Sequence, residues 1–436
     1  YIQSCSCQVM AGPRLRRLLL QLQPTEPGAV LRTDLVRGQD ASLPADGAGP
    51  LSGYRVLDLS QMLSGPACCQ ILGDQGADVI KLEPLEGDQV RGMSRGMGPT
   101  FCLVNRNKRS IAVDLKKPEG HSLVLKLAKT ADVLVQNFRP GAAEKLGVGY
   151  DDVRKVRPDI VYLSISGFGE TGPYADKRVY DPIIQSVTGL PSIQADATGH
   201  PRMMRLIIPD KVTSITAAQT VTAALLRRAR TGQGQHVKLA MLDAVMAFMW
   251  PEGMAAHTFI EGRAAGNDQK HAYYSRDLIY DLKDGFITVA INTMKEWRAL
   301  CAAFDKPGWL QDARFQDGAS LISNRSARMD LVQEHLRHMS CAEALAVLDK
   351  HDVPCAPVYH PRSQVIEDPQ VKANGTVIEA VHPVAGRMRF ARPAAQFDSA
   401  FTIRYHAPLI GEQTDEILQE LGIDAGEVDQ LRKEGV

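Results

Sequence analysis

From Leu51 onward, short apolar runs alternate with longer stretches in which apolar residues recur every three or four positions. Residues 54–59 and 77–82 are β-branched and apolar over the length of a strand. Between them, residues 65–75 open on Gly65-Pro66 and keep a helical period, so the three segments predict a β-α-β unit. The alternation repeats as strand, helix, strand, helix, strand over residues 110–115, 118–129, 132–136, 142–146 and 160–166. Strands this uniformly apolar are buried on both faces, which predicts a mostly parallel sheet covered by helices on either side. Residues 206–208 read as a further short run, ended by Pro209 and followed by a long helix over residues 212–230. Arg227, Arg228 and Arg230 suit the negative end of that helix, and Gly232 is its stop. Residues 236–240 predict another strand and 241–250 another helix.

Past Trp250 the pattern changes. Residues 278–280 and 286–291 predict the two strands of a hairpin turning through 281–285, followed by amphipathic helices about Trp297 and over 329–336. The predicted organisation is a large α/β domain over 51–255, a smaller α+β domain over 256–375, and a return of 376–436 to the first domain. Residues 1–50 differ from the rest. Arg14, Arg16 and Arg17 stand beside Leu18 to Leu20 with no acidic residue before Glu26, and residues 40–50 are rich in turn formers. This predicts a poorly ordered leader and linker. An Arg-rich, acid-poor start fits a mitochondrial presequence or an extended upstream reading, and its apolar run is too short for a membrane span.

Composition narrows the partners. With 436 residues, 44% hydrophobic and 23% charged, the chain is long enough for two cores. Fifty basic residues balance fifty acidic ones, so no global field draws it to nucleic acid or an anionic membrane, and any anion site is built locally. The eight cysteines lack CxxC pairing and read as thiols in a reducing compartment, which predicts the cytoplasm, with the mitochondrial matrix as the alternative. Cys68 and Cys69 fall in a predicted helix and are assigned to packing. The histidines show no HxxxH or HExxH spacing, so no metal site is expected, and His335 with His338 reads as a solvated face.

Two features carry candidate chemistry. Asp210 sits at the predicted strand-to-helix junction, where backbone N–H groups point outward and can hold a carboxylate ionised against a carbonyl. The competing role is a plain helix N-cap. The second feature is the segment Asn105-Arg106-Asn107-Lys108-Arg109-Ser110, three cations in six residues beside a strand, with Lys116 beyond and Arg178 ahead of Val179-Tyr180-Asp181. Such a cluster suits a ligand with several phosphates, or is a solvated basic turn. No Gly-x-Gly-x-x-Gly follows the first strand, where Leu59-Ser60-Gln61-Met62-Leu63-Ser64-Gly65-Pro66 stands instead, so a dinucleotide redox role loses its main support.

Taken together, several segments resemble the class III CoA-transferase family, the CaiB/BaiF group. They are Gly53-Tyr54-Arg55-Val56-Leu57-Asp58-Leu59-Ser60, Ser64-Gly65-Pro66, the run from Gly76 to Glu83, Gly87-Asp88, the Asn105 to Ser110 segment, Asn137-Phe138-Arg139-Pro140-Gly141, Gly167-Phe168-Gly169 with Thr171-Gly172-Pro173, Gly232-Gln233-Gly234-Gln235, and the segment from Ala407 to Glu412. The resemblance implies a Rossmann-like large domain built from both chain ends, a smaller inserted α+β domain, and an interlocked homodimer. It places the family's nucleophilic aspartate on Asp210, thirty positions after Tyr180, with Tyr180 and Asp181 in support. The family's CoA contacts fall on Met62, Leu63, Lys108, Lys116, Asn137, Phe138, Lys145 and Arg178. The implied partners are an acyl-CoA donor and a carboxylic acid, bound as substrates with no further cofactor.

The chemistry follows from a carboxylate with an ordinary pKa of roughly 4, ionised at neutral pH without a general base. It attacks the thioester, forms a mixed anhydride, and is converted by the released thiolate into an aspartyl-CoA thioester. A related α-methylacyl-CoA racemase would need His where Tyr180 stands, and a phenol is a poor base at neutral pH. A non-catalytic acyl-CoA-binding protein is the alternative of another class, and it would not need Asp210. Some family members close the site with four consecutive glycines. Here residues 262–271 occupy that region without such a run, so a differently built lid is expected. Arg202, Arg205 and Lys211 near Asp210 suggest an acidic acceptor or a structural ion pair.

Overall fold

Six parallel strands form the central sheet, in the order β3-β2-β1-β4-β5-β6. They are β1 (Arg55–Asp58), β2 (Asp78–Glu83), β3 (Lys108–Ala112), β4 (Val133–Gln136), β5 (Val161–Ser166) and β6 (Gln235–Ala240). This is a computed structural model, and it describes residues 49–93, 98–196, 198–261, 276–398 and 400–436. Successive side chains of a strand point to opposite faces. Val56, Val79, Val133, Val135, Val161 and Leu163 therefore enter one core. Leu57, Ile80, Leu134 and Tyr162, one residue out of step, enter the other. Each face needs its own cover, which is why the strands read as continuously apolar.

Four helices position the site. They are α1 (Ser64–Asp74), α2 (Asp181–Thr188), α3 (Ile208–Thr231) and α4 (Met241–Met249). Helix α3 runs against the first core through Ala217, Ala218, Val221, Ala224 and Leu225, small enough to let it lie close to α1. It stops at Gly232, whose φ of 68° is left-handed. The second face is covered by the helix Pro118–Thr130 and, from far along the chain, by Thr414–Glu420 and Ala425–Lys433. Ile417, Leu418, Ile423 and Val428 are buried in that core.

A separate core surrounds a three-stranded antiparallel sheet of Tyr280–Asp281, Phe286–Val289 and Cys355–Val358. Its centre is Trp297, stacked on Trp309 and edge-on to Phe315. His335 packs on Phe304 at a ring separation of 4.4 Å, so it belongs to this core rather than to a solvated face. Val377–His382 and Gly386–Ala391 form a hairpin between this unit and the C-terminal helices in sequence. Among the described residues no helix is long and apolar enough to cross a membrane. The leader expected over 1–50 and the lid region 262–271 lie outside the described residues, except for Gly49 and Pro50.

Candidate active site

Strands β1 and β4 are neighbours, but successive connections carry the sheet in one direction from β1 to β2 and in the other from β4 to β5. Loops leaving their carboxyl ends diverge there and open a crevice, the usual ligand position in such sheets. The crevice is a cavity of about 620 Å³. Gln61 to Ser64 line it after β1, Asn137 to Pro140 after β4, and Gly167 after β5. Lys177 to Pro182, Ile207, Asp210 and Met241 are also among its walls.

Asp210 is the third residue of α3, whose N-cap position is held by Ile207. It is thus inside the first turn and not at the N-cap, so the plain N-cap role does not apply, and among the described residues its carboxylate forms no ion pair and no hydrogen bond with another side chain. Burial lifts its pKa to about 6, the neighbouring Asp181 carboxylate adds to the rise, and the Ser64 backbone N–H works against it. Ser64 opens α1, so that N–H lies among those a helix leaves unpaired at its positive end. The Ser214 hydroxyl lies 2.9 Å from the Ser64 carbonyl and 2.7 Å from that of Asp210, tying the two helix starts together. Asp181 is buried at the head of α2; burial raises its pKa, and hydrogen bonds from Gln185 and the Asp210 N–H partly offset this.

The expected strand at 206–208 is not formed. Helix α3 already begins at Ile208, and Leu206 and Ile207 are exposed. The Leu206 carbonyl accepts from the Ile208 N–H at 2.9 Å and from the Gln185 side chain, which also takes the Met204 N–H just ahead of the segment. The apolar run was short enough to read either way, and its partner could not be seen in the sequence.

The turn after β1 is held from two sides. Asn137 accepts from the Gln61 N–H at 2.8 Å and donates to the Gln61 carbonyl at 2.7 Å. Asp88 accepts from the Met62 N–H, and Lys81 reaches both Asp88 and the Ser60 carbonyl. Between the clamps Met62 has a φ of 69°, a conformation that costs a side-chain-bearing residue about 1 kcal/mol. Gly65 is required beside it, since a Cβ there would lie 2.3 Å from that of Ser60. Asn137 thus lines the cavity, but its amide is occupied by backbone.

Met62, Leu63, Asn137, Phe138, Arg178, Tyr180, Asp181 and Asp210 are therefore gathered at one cavity. The remaining candidates are not. Lys108 is wholly buried, and its ammonium donates to Asp58 at 2.7 Å, to the Pro66 carbonyl at 2.8 Å and to Asn105 at 2.8 Å. With all three donors taken it has none left for a phosphate, which corrects its assignment as a CoA ligand. Burial pushes the Asp58 carboxyl up, but Lys108 and Lys81 hold it below its ordinary value. Arg106 pairs with Asp74, and Arg109 with Asp78, Glu416 and Glu420. The basic segment is neither a phosphate cradle nor a solvated turn. Its cations point inward to carboxylates.

Lys116 and Lys145 are exposed and do not line the cavity. Arg202 pairs with Asp196 at 2.7 Å, and neither Arg205 nor Lys211 lines the cavity. Sequence reasoning missed Gln185, Ser214 and the Ser64 N–H. Only Gln185 left a signal, its spacing of four from Asp181.

Residues 51–414 match the sequence profile of CoA-transferase family III. The chain is 31% identical to a mouse (Mus musculus) succinyl-CoA:glutarate CoA-transferase over 90% of this chain and 91% of the relative. It is 32% identical to a formyl-CoA:oxalate CoA-transferase of Rhodopseudomonas palustris over 88% of this chain and 96% of the relative. A crystal structure of a CaiB/BaiF family protein from Brucella suis superposes with a TM-score of 0.73 at 30% identity, covering 86% of this chain and all of that one.

Proposed function

The chain belongs to CoA-transferase family III, and from that premise we propose that Asp210 is the residue through which it moves coenzyme A from an acyl-CoA to a carboxylic acid. An Asp210 oxygen attacks the thioester carbonyl, the C–S bond breaks, and a mixed anhydride and CoA thiolate result. The thiolate attacks the aspartyl carbonyl and expels the donor acid as its carboxylate, leaving an aspartyl-CoA thioester. An incoming carboxylate attacks that thioester and frees the thiolate again. Attack by the thiolate on the new acyl carbonyl gives the product acyl-CoA and returns Asp210 ionised. No net proton is consumed, so the cycle needs no general base. The positive end of α1 at Ser64 favours the negative charge that develops at each addition.

One observation carries this reading: Asp210 lies at the switch-point cavity with a carboxylate that meets the Ser64 N–H and, among the described residues, pairs with no cation. The turns at Met62-Leu63 and Asn137-Phe138, with Arg178, are read as the CoA-holding elements, which keep the thiolate beside the aspartyl carbonyl between steps. We also read the chain as a homodimer. Ile183 and Val187, one turn apart on α2, are exposed, as are Phe248 and Trp250 at the end of α4. Apolar residues so grouped fit a covered face.

The test is Asp210→Ala and Asp210→Asn, assayed with succinyl-CoA against a panel of carboxylic acids, with mass spectrometry of the trapped adduct. We expect CoA binding to persist, transfer to fall by at least a thousandfold, and the Asp210 adduct to vanish. Transfer at the unaltered rate in either variant would end the proposal.

A further inference from the structure

Helix α2 carries Asp181 as its first residue and Gln185 one turn later, so the two side chains share a face. Gln185 is only 2% exposed and does not line the cavity. Its Oε1 accepts from the Met204 N–H at 3.0 Å. Its Nε2 lies 2.6 Å from Asp181 Oδ1, 3.2 Å from the Leu206 carbonyl oxygen and 3.4 Å from that of Met204. Two amide hydrogens serve three acceptors, so one bond is shared. The other carboxylate oxygen of Asp181 accepts from the Asp210 backbone N–H at 3.3 Å. One side chain thus grips the segment that leads into α3 and also the carboxylate bonded to the Asp210 backbone.

We propose that Gln185 is a positioning residue for Asp210, bracing the entry to α3 and the Asp181 carboxylate so that the Asp210 side chain is held at the reacting carbonyl. The inference rests on the role assigned to Asp210 above. Two physical points support it. Residues 202–207 belong to no strand, so the Met204 N–H and carbonyl have no ladder to bond to and meet Gln185 instead, while the Leu206 carbonyl takes both Gln185 and the Ile208 N–H. Covalent catalysis is also steeply sensitive to placement, since displacing a reacting atom by about 1 Å can lower the rate about a hundredfold. The loops after β1 and β4 are held by Asn137 and Asp88 instead. Loss of the brace should therefore spare the CoA-facing side of the cavity.

The experiment compares Gln185→Met and Gln185→Asn with the unaltered protein in steady-state transfer from succinyl-CoA to glutarate, alongside thermal unfolding. Methionine keeps the length and the packing stem but removes all four polar contacts. The expected result is a kcat lowered ten- to a hundredfold with the KM for succinyl-CoA within threefold. A lowered melting temperature with kcat intact would make Gln185 a purely structural residue and overturn the inference. So would a rise in KM that accounts for the whole loss. Asparagine keeps an amide on a shorter stem and guards against misfolding of the first variant. It should reach some of the four partners and lose less in kcat, and full kcat there also overturns the inference. An unaltered protein that moves CoA from no acyl-CoA to any acid of a panel that includes the succinyl-glutarate and formyl-oxalate pairs, or an active Asp210→Ala, removes the ground for both readings. An active parent, an inactive Asp210→Ala and a fully active Gln185→Met reject the brace alone.

Discussion

Asp210 is caught between burial, which favours its neutral form, and a mechanism that needs it charged. With its pKa at about 6, roughly nine-tenths of the protein carries the anion at pH 7. Transfer should therefore fall as the pH drops through about 6, not through the roughly 4 of a free carboxylate. A pH–rate profile checks this, and an acid limb near 4 would show that the residue is solvated during turnover. The same shift has a stability counterpart. Because the folded pKa lies above the unfolded one, the native state holds a proton that the unfolded chain has released between about pH 4 and 6. Stability is lost as the pH rises through that window. Asp210→Asn should gain about 1–3 kcal/mol at pH 7, a gain that disappears below about pH 4. Chemical denaturation at the two pH values measures it. That Asp210 stands at the start of a long helix was legible from Pro209 and the apolar spacing, although the helix begins at Ile208 and not at 212. The surroundings of its carboxylate were not legible, because they depend on where Ser64 and Asp181 come to lie.

At the scale of elements, the segment 105–110 shows how far local sequence carries. Three cations in six residues predict a basic field, but β3 lies beside β2 and the three are spent on Asp74, Asp58 and Asp78. Lys108→Met should accordingly act on folding. It leaves the Asp58 charge buried without its partner, a loss of about 3–5 kcal/mol, while the KM for acyl-CoA stays near its original value. Thermal unfolding and steady-state kinetics decide it, and a large KM effect at unchanged stability would return Lys108 to the ligand site. Strands were the better-predicted elements because an apolar run buried on both faces has few other fates. The run at 206–208 failed because three residues carry no period.

For the whole molecule, the exposed apolar residues of α2 and α4 are the test of assembly. If they are covered in a homodimer, sedimentation equilibrium should give twice the mass of one chain, and Ile183→Glu with Phe248→Glu should reduce it to one. A monomer at micromolar concentration in the unaltered protein would remove the dimer reading. The C-terminal helices matter at the same scale. Glu416 and Glu420 complete the partners of Arg109, more than three hundred residues away in sequence.

The sequence alone determined the alternating α/β order, the two-sided burial of the strands, the change of pattern past Trp250 and the family resemblance that marked Asp210. These depend on spacing and side-chain type, which are properties of neighbours along the chain. Only the tertiary structure decided which charges were spent on one another, which turn was clamped, and that a glutamine one turn behind Asp181 holds the approach to Asp210. A hydrogen bond or an ion pair is set by distances of about 3 Å between groups that may be far apart in sequence, and chain folding alone fixes such distances.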